Sequence, residues 1–322
     1  MILSEKDIKK SITMRDAIDV MEEAFRTYAR QEFISPDRVF SQVNDENTFM
    51  LMPSFVDDCL GLKVVTTFPA NSGTDEPVTQ GVIMINDRET GKPLSLMNGT
   101  LLTAVKTAAV SGVAMRYFNS EAKTIGLIGT GLQGLYQLLA AIEVTNAETV
   151  YVYNRTQEKL KIFKEKFLTV ANREVEVISC DNAEEVVKKS EVIIAATTSP
   201  VPVLPNDGFL YNGKLVVGVG AYRTDMQELP EELFRSVPYF FIDSEDGKRE
   251  VGDIINPIQH GWIREENVVL LSDLIIGKKE YELSGNEPVV FKTISMALFD
   301  ALIGNYVYKQ AKENKIGTVV EI

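Results

Sequence analysis

Gly129, Gly131 and Gly134 form a Gly-x-Gly-x-x-Gly sequence, and their context carries the clearest chemistry in the chain. An apolar, β-branched run (TIGLI) precedes them and a helix-like run (LYQLLAAIEV) follows. A second β-rich run, TVYVYN, ends about 20 residues further on. A dinucleotide pyrophosphate needs that order of strand, glycine turn, helix and strand. Gly129 makes the tight turn, Gly131 lets backbone N–H groups reach the phosphates, and Gly134 lets the helix lie close to the strand. Thr130, Leu132 and Gln133 complete the loop. At the end of the second strand, an Asp or Glu would bind the ribose 2′-hydroxyl of NAD. The chain has Asn154, Arg155 and Thr156 there. A guanidinium between two hydrogen-bonding side chains suits a 2′-phosphate, so NADP(H) is the preferred cofactor and NAD(H) the second choice. The plainer alternative makes Arg155 a solvated loop residue and Thr156 the cap of the next helix. Thr197, Thr198 and Ser199, and later Gly220 and Tyr222, follow apolar runs and fall at strand ends where a dinucleotide crevice opens.

A dinucleotide fold needs a second region to bring substrate. Three cations of the first half are candidates. Lys63 lies inside the apolar strand LGLKVV, Lys106 is the only charge in LLTAVKTAAVSGVA, and Arg38 begins a strand after Pro36-Asp37. Each is either a surface residue reaching water or a buried, functional cation, and converging they would hold a carboxylate. His260 is the only histidine, which disfavours a Ser-His-Asp triad or a multi-histidine zinc site, so no metal is expected. It reads as a loop residue, and Trp262 as a packing residue. The acidic run Asp243-Ser244-Glu245-Asp246 reads as a helix start. Cys59 and Cys180 make neither a disulfide framework nor a metal motif, which suits a reducing, cytoplasmic setting.

The elements that must position these residues are legible as patterns. Thr13 and Asp16 resemble a capping box, and Met14, Ala17, Ile18, Met21, Phe25 and Tyr28 recur at helical spacing behind it. Between about residues 37 and 98, VFSQV, FMLMPSF, LGLKVVTTFP, GVIMIND and LSLMN read as strands of an antiparallel or mixed sheet. Asp57-Asp58, Asn71-Ser72-Gly73-Thr74 and residues 87–92 are the turns between them. A buried helix follows over Thr100 to Tyr117. From there strands and helices alternate: TIGLIG, TVYVYN, VEVIS, EVIIAAT, KLVVGVG and YFFID, with a clear helix over 157–170. That rhythm predicts a parallel sheet covered on both faces. The tail from about 291 to 312 reads as one more helix. The fold class is therefore α/β: a Rossmann-type doubly wound parallel sheet with a second α+β domain.

The chain has 322 residues, 45% of them apolar and 25% charged, with a net charge of −13. This is an ordinary globular composition for about two domains. The negative field repels phosphate backbones and anionic lipid, so neither nucleic acid nor membrane is an expected partner. The start, MILSEKD, has no signal-peptide pattern, and no apolar run is long enough to span a bilayer.

These motifs together resemble the ornithine cyclodeaminase/mu-crystallin family. The resemblance runs over the full length: the Arg38 region, Gly61-x-Lys63, ETGKPLSLMNG, LLTAVKTAAVSG, GTGLQG, NRT, TTSPVPVL, VGAY…QEL, FIDS…GD and FKT…AL.D. It implies a homodimer whose substrate-binding and dimerisation domain is split, 1–118 plus 297–322, around a dinucleotide domain at 119–296. It implies a small amino or imino acid substrate and an NAD(P)(H) cofactor. Residues matching Arg38, Lys63 and Lys106 hold the substrate carboxylate in the family, and Lys63 also lies near the reacting centre. Two departures narrow the activity. Lys106 stands where Arg is usual, a point charge in place of a fork. Tyr222 stands where the cyclodeaminases carry an Asp base, and a phenol of pKa about 10 is a poor base at neutral pH. The expected activity is reduction of a cyclic ketimine or 2-imino acid, such as 1-pyrroline-2-carboxylate, to the L-amino acid. The alternatives are an L-amino acid dehydrogenase of alanine or arginine type, an ornithine cyclodeaminase, and a non-catalytic NADPH-regulated binding protein.

Overall fold

The computed structural model describes all residues except 45, 72, 73, 75 and 322, so Ser72 and Gly73 of the expected turn lie outside the described residues. The chain divides into two compact units, Met1–Lys106 with Ser295–Ile322, and Thr107–Ile294.

The first unit opens with β1 (Ile2–Leu3), α1 (Glu5–Ser11) and α2 (Met14–Arg30). Both helices begin with complete capping boxes. In the second, Thr13 and Asp16 exchange side-chain and backbone hydrogen bonds as the sequence predicts. Then come β2 (Phe33–Ile34), β3 (Val39–Gln42), β4 (Thr48–Val56), β5 (Cys59–Thr67), β6 (Thr79–Asp87) and β7 (Pro93–Asn98). They form one seven-stranded sheet in the order β1-β7-β6-β5-β4-β2, with β3 also on β4. All pairs are antiparallel except β1 with β7, so the sheet is mixed. Register fixes its faces. Met52, Lys63, Ile83 and Met97 stand in one row on the buried face. Leu51, Leu62, Val64, Val82, Met84 and Leu96 point the other way and stay half-buried or exposed. This sheet is therefore apolar on both faces.

The helix α3 (Gly99–Phe118) follows, and the division between the units falls inside it. The second unit strings together β8 (Thr124–Ile128), α4 (Leu132–Val144), β9 (Thr149–Tyr153), α5 (Glu158–Val170), β10 (Glu176–Ser179), α6 (Ala183–Lys189) and β11 (Val192–Ala195). It continues with β12 (Leu215–Gly218), α7 (Glu231–Ser236), β13 (Phe240–Ile242), α8 (Gly247–Glu250), α9 (Gly252–Gln259), β14 (Val268–Leu270), α10 (Leu271–Ile275) and β15 (Val289–Lys292). Its eight strands are all parallel, in the order β10-β9-β8-β11-β12-β15-β13-β14. The order reverses between β8 and β11, which opens a crevice at the carboxyl ends of those strands. Fully buried runs such as VIIA and LVVG account for the central strands.

The tail departs from the sequence reading. Phe291 and Lys292 belong to β15, inserted between β12 and β13, and the last helix is α11 (Ala297–Glu313). The run VVFK is short, apolar and β-branched, and fully buried strands of this kind lack the alternation that would separate them from helix. Within the first unit α11 covers the buried face of the sheet. Gly61 makes room for it: a Cβ there would meet Ala301 Cβ at 2.6 Å.

Candidate active site

In the second unit the glycine loop has the geometry its spacing predicts. Gly129 ends β8 with φ +98, and a Cβ on it would strike the Ala196 carbonyl oxygen at 2.4 Å. A Cβ on Gly134 would strike the Gly129 carbonyl oxygen at 2.1 Å, so only glycine allows α4 to start this close to the strand. Gly131 is the N-cap of α4 and is exposed, with nothing within 4 Å of an added Cβ. Leu132 beside it is exposed. The helix N-terminus and its unpaired N–H groups therefore face open space, where an anion would be favoured. Two side-chain oxygens of this loop, Thr130 Oγ1 and Gln133 Oε1, are buried and have no hydrogen-bond partner among the described residues. Orphaned buried oxygens beside an open helix N-terminus fit a ligand bearing hydroxyls and phosphates.

At the end of β9, Asn154 bridges the two turns. Its Oδ1 accepts from the Thr130 N–H at 3.4 Å and its Nδ2 donates to the Thr156 carbonyl at 2.9 Å. Arg155 and Thr156 are exposed. The alternative role for Thr156 does not hold: Gln157 is the N-cap of α5 and makes no side-chain cap bond, while Thr156 contributes its carbonyl. At the end of β11, Thr197 Oγ1 accepts from the Ser199 N–H at 3.1 Å, and Thr198 is exposed. Gly220 ends the segment after β12, and Tyr222 beyond it is exposed with Arg223 over its ring. Asp225 is bound by both arms of Arg223 at 2.8 Å. His260 is exposed and stacks on Trp262, which packs on the core, so His260 is a loop residue and Trp262 a packing residue.

In the first unit Lys63 and Lys106 meet. Lys63 projects from β5 and Lys106 from α3, and each ammonium lies 2.7 Å from a different oxygen of Asp300 on α11. All three side chains are buried, with Lys106 fully so. Ser295, just before α11, accepts a hydrogen bond from Lys106 Nζ. Its φ of +68 is unusual for a residue with a side chain and holds the hydroxyl toward the lysine. Burial pushes Lys106 down to about 7, with Asp300 opposing and Lys63 adding to the shift. Burial alone would raise Asp300, but the ammonium groups of Lys106 and Lys63 outweigh it and hold the carboxyl below its ordinary value. Arg38 sits one residue before β3, whose first pair on β4 is Val39 with Leu51. It is half-buried, and its Nη1 lies 3.9 Å from Met50 Sδ.

Both sequence-predicted lysines are thus buried and brought onto one carboxylate, while Arg38, just before β3, lies near Met50 of β4. Sequence reasoning gave no role to Asp300 or Ser295. Asp300 ends the FKT…AL.D motif, so its position was visible without its partners. No group of three or more His, Cys, Asp or Glu suited to a metal occurs among the described residues.

Comparison with known proteins agrees with this architecture. The chain is 31% identical over 327 aligned positions to a Delta(1)-pyrroline-2-carboxylate reductase of Bacillus cereus, covering 100% of this chain and 99% of the relative. The solved structure of Thermococcus litoralis Delta(1)-pyrroline-2-carboxylate reductase in complex with NADH and L-proline superposes with a TM-score of 0.94 at 33% identity, over 99% of this chain and 100% of that one. An archaeal alanine dehydrogenase dimer with bound NAD superposes with a TM-score of 0.91 at 26% identity, over 100% of this chain and 98% of that one. The model of the ornithine cyclodeaminase/mu-crystallin family matches residues 1–315. With its motifs, its two units and its full-length match, the chain belongs to the ornithine cyclodeaminase/mu-crystallin family.

Proposed function

We propose that this chain is an NAD(P)H-dependent oxidoreductase that reduces the C=N bond of a cyclic ketimine carboxylate, such as 1-pyrroline-2-carboxylate, to the L-amino acid. The observation that carries the reading is the buried pair of ammonium groups on Asp300, in a chain whose other unit presents an open glycine-loop helix terminus. The full-length similarity to the reductase solved with NADH and L-proline supports it. A nicotinamide held by the second unit would supply the hydride for the imine carbon. The chain's own residues do the rest. Arg38 and Lys106 hold the substrate carboxylate. Lys63 turns its ammonium to the imine nitrogen and gives it the proton that balances the hydride. Asp300 keeps both lysines in place. Gly129, Thr130, Gly131, Leu132, Gln133 and Gly134 hold the pyrophosphate, and Thr197, Thr198, Ser199, Gly220 and Tyr222 face the nicotinamide half.

NADPH is the preferred cofactor in this proposal, on the exposed Arg155 and the lack of an acid at the end of β9. The relatives solved with NADH or NAD support acceptance of the non-phosphorylated form as well. The doubly apolar sheet of the first unit supports a homodimer formed through its half-exposed face, since a second copy would bury Leu62, Met84 and Leu96. No helix among the described residues is long and apolar enough to cross a membrane. The two unpaired, buried cysteines support a reducing, cytoplasmic setting. Cyclodeamination is disfavoured: position 222 offers a phenol, and Asp225 is engaged by Arg223.

The test is the loss of reduced-nicotinamide absorbance with 1-pyrroline-2-carboxylate and 1-piperideine-2-carboxylate, with NADPH and NADH compared. Turnover favouring NADPH is expected. Turnover on L-alanine or L-arginine with NAD(P) and none on either imine would replace the reading with an amino acid dehydrogenase.

A further inference from the structure

Three motifs of this chain have no role in the site described above: Gln227-Glu228-Leu229, Gly252-Asp253 and Phe291-Lys292-Thr293. The fold of the second unit brings their charged members together. Glu228, Asp253 and Lys292 are all fully buried. Asp253 Oδ1 accepts from the N–H groups of Glu228 and Leu229 at 2.8 and 3.0 Å, and its Oδ2 lies 3.4 Å from Lys292 Nζ. Asp253 thereby fixes the backbone that carries Glu228.

The Glu228 carboxylate then reaches two strand ends at once. Its Oε1 accepts from the Thr197 N–H at 2.6 Å, beyond β11. Its Oε2 accepts from the N–H groups of Gly220 and Ala221, beyond β12. The two segments touch closely: a Cβ on Gly220 would lie 1.8 Å from the Thr197 carbonyl oxygen. One carboxylate thus satisfies three backbone donors on the two segments next to the crevice. In a doubly wound sheet the adenosine half of a dinucleotide lies toward β9, so the other half lies over β11 and β12. Burial raises both carboxyls from their ordinary values and the Lys292 charge opposes it, so the cluster costs stability to keep.

We infer that Glu228, held by Asp253 and Lys292, is a positioning residue that sets the Thr197 and Gly220-Ala221 segments for the nicotinamide half of the cofactor. The inference rests on the dinucleotide reading given under Proposed function. A carboxylate is suited to this task because it accepts on both oxygens. An amide in its place must turn an NH2 group toward a backbone N–H, which pushes one segment away.

The experiment measures dissociation constants of NADH and NADPH, by fluorescence, and of ADP-ribose and its 2′-phosphate, by calorimetry, for the unaltered chain and Glu228→Gln. The fragments lack nicotinamide but keep the pyrophosphate and adenosine. Weakening of NADH and NADPH by about tenfold, with the fragments within twofold, is expected. General loosening of the fold would weaken all four alike, and that outcome would overturn the inference. Unchanged dinucleotide binding would overturn it too. Should Glu228→Gln not fold, Glu228→Asp, which keeps the charge and withdraws it by one methylene, is read by the same comparison. Failure of the unaltered chain to bind NADH or NADPH would sink the dinucleotide reading itself, a result distinct from equal losses in a variant.

Discussion

Asp300→Asn isolates the carboxylate between the two lysines. The substitution keeps the shape of the side chain and removes its charge. Asp300 lies 2.7 Å from Lys63 Nζ and 2.7 Å from Lys106 Nζ, and it is 1% exposed. At an effective dielectric of about 20, one such pair at about 4 Å is worth about 4 kcal/mol, or about three pKa units as an upper figure. Lys106 already sits at about 7 because burial lowers it and Asp300 only partly offsets that. Without Asp300 it falls further, because the charge that opposes burial is gone. In the proposed function the protonated lysine is the form that binds the carboxylate, so kcat/KM for the imine should fall as pH rises through the free-enzyme pKa of Lys106. The expected result is a descending limb near pH 7 in the unaltered enzyme, displaced downward in Asp300→Asn. Lys106→Arg, whose guanidinium stays charged, removes this limb. The substrate's own titration is common to all three proteins and cancels in the comparison. A limb at the same pH in all three would mean that Asp300 and Lys106 do not govern substrate binding.

Gly131→Ala is expected to leave the fold intact, since nothing lies within 4 Å of the new methyl, yet to weaken NADPH binding about tenfold by occupying the phosphate approach; unaltered binding in a titration would place the pyrophosphate elsewhere. Arg155→Glu should weaken NADPH by about tenfold or more and leave NADH near its original affinity, as steady-state KM values for the two cofactors will show. Equal effects on both would return Arg155 to the role of a solvated loop residue. Leu96→Glu puts a charge on the half-exposed face of the first unit's sheet, where Leu96 is 42% exposed. Light scattering should find a monomer in place of a dimer, and a dimer persisting in the variant would move the interface off this sheet.

Local patterns were legible in the sequence, and long-range partners were not. The capping box of α2, the alternation of β5 and the glycine loop after β8 all show in residues close together, because short-range sterics and periodicity determine them. β15 was not legible: its four residues run straight toward α11, and its place between β12 and β13 depends on strands far away in the chain. Lys63 and Lys106 were visible as isolated charges in apolar runs, but a lysine in such a run is consistent with either a snorkelling or a buried side chain. Asp300 decides between them, and it comes from the last helix. Ser295 was invisible, since its left-handed backbone and its bond to Lys106 leave no signature in residue type. The three motifs that meet at Glu228 could be quoted from the sequence, but only the parallel sheet and α9 bring them together.

In the proposed function, the charge balance of the two lysines and Asp300 accounts for the second lysine. One lysine on Asp300 would be a neutral pair with no pull on an anion. Counted apart from Arg38, two ammonium groups on one carboxylate leave an excess of one positive charge, which favours an anion beside them. Burial resists that excess, which is why Lys106 is pushed down to about 7. An arriving carboxylate restores the balance and raises the pKa of Lys106. Between the free value near 7 and the raised value, the complex holds more protons than the separated partners, so ligand binding takes up protons from the buffer. Under the proposed function, the chain saturated with NADH should therefore bind the product-type ligand L-proline with an uptake of protons that grows as pH rises from 7 to 8. Calorimetry in buffers of different ionisation enthalpy reads that number directly, and Lys106→Arg supplies the control with none. Proton-neutral binding by the unaltered enzyme across pH 7 to 8 would mean that Lys106 does not receive the carboxylate, and the clamp would have to be rebuilt from Arg38 and Lys63 alone.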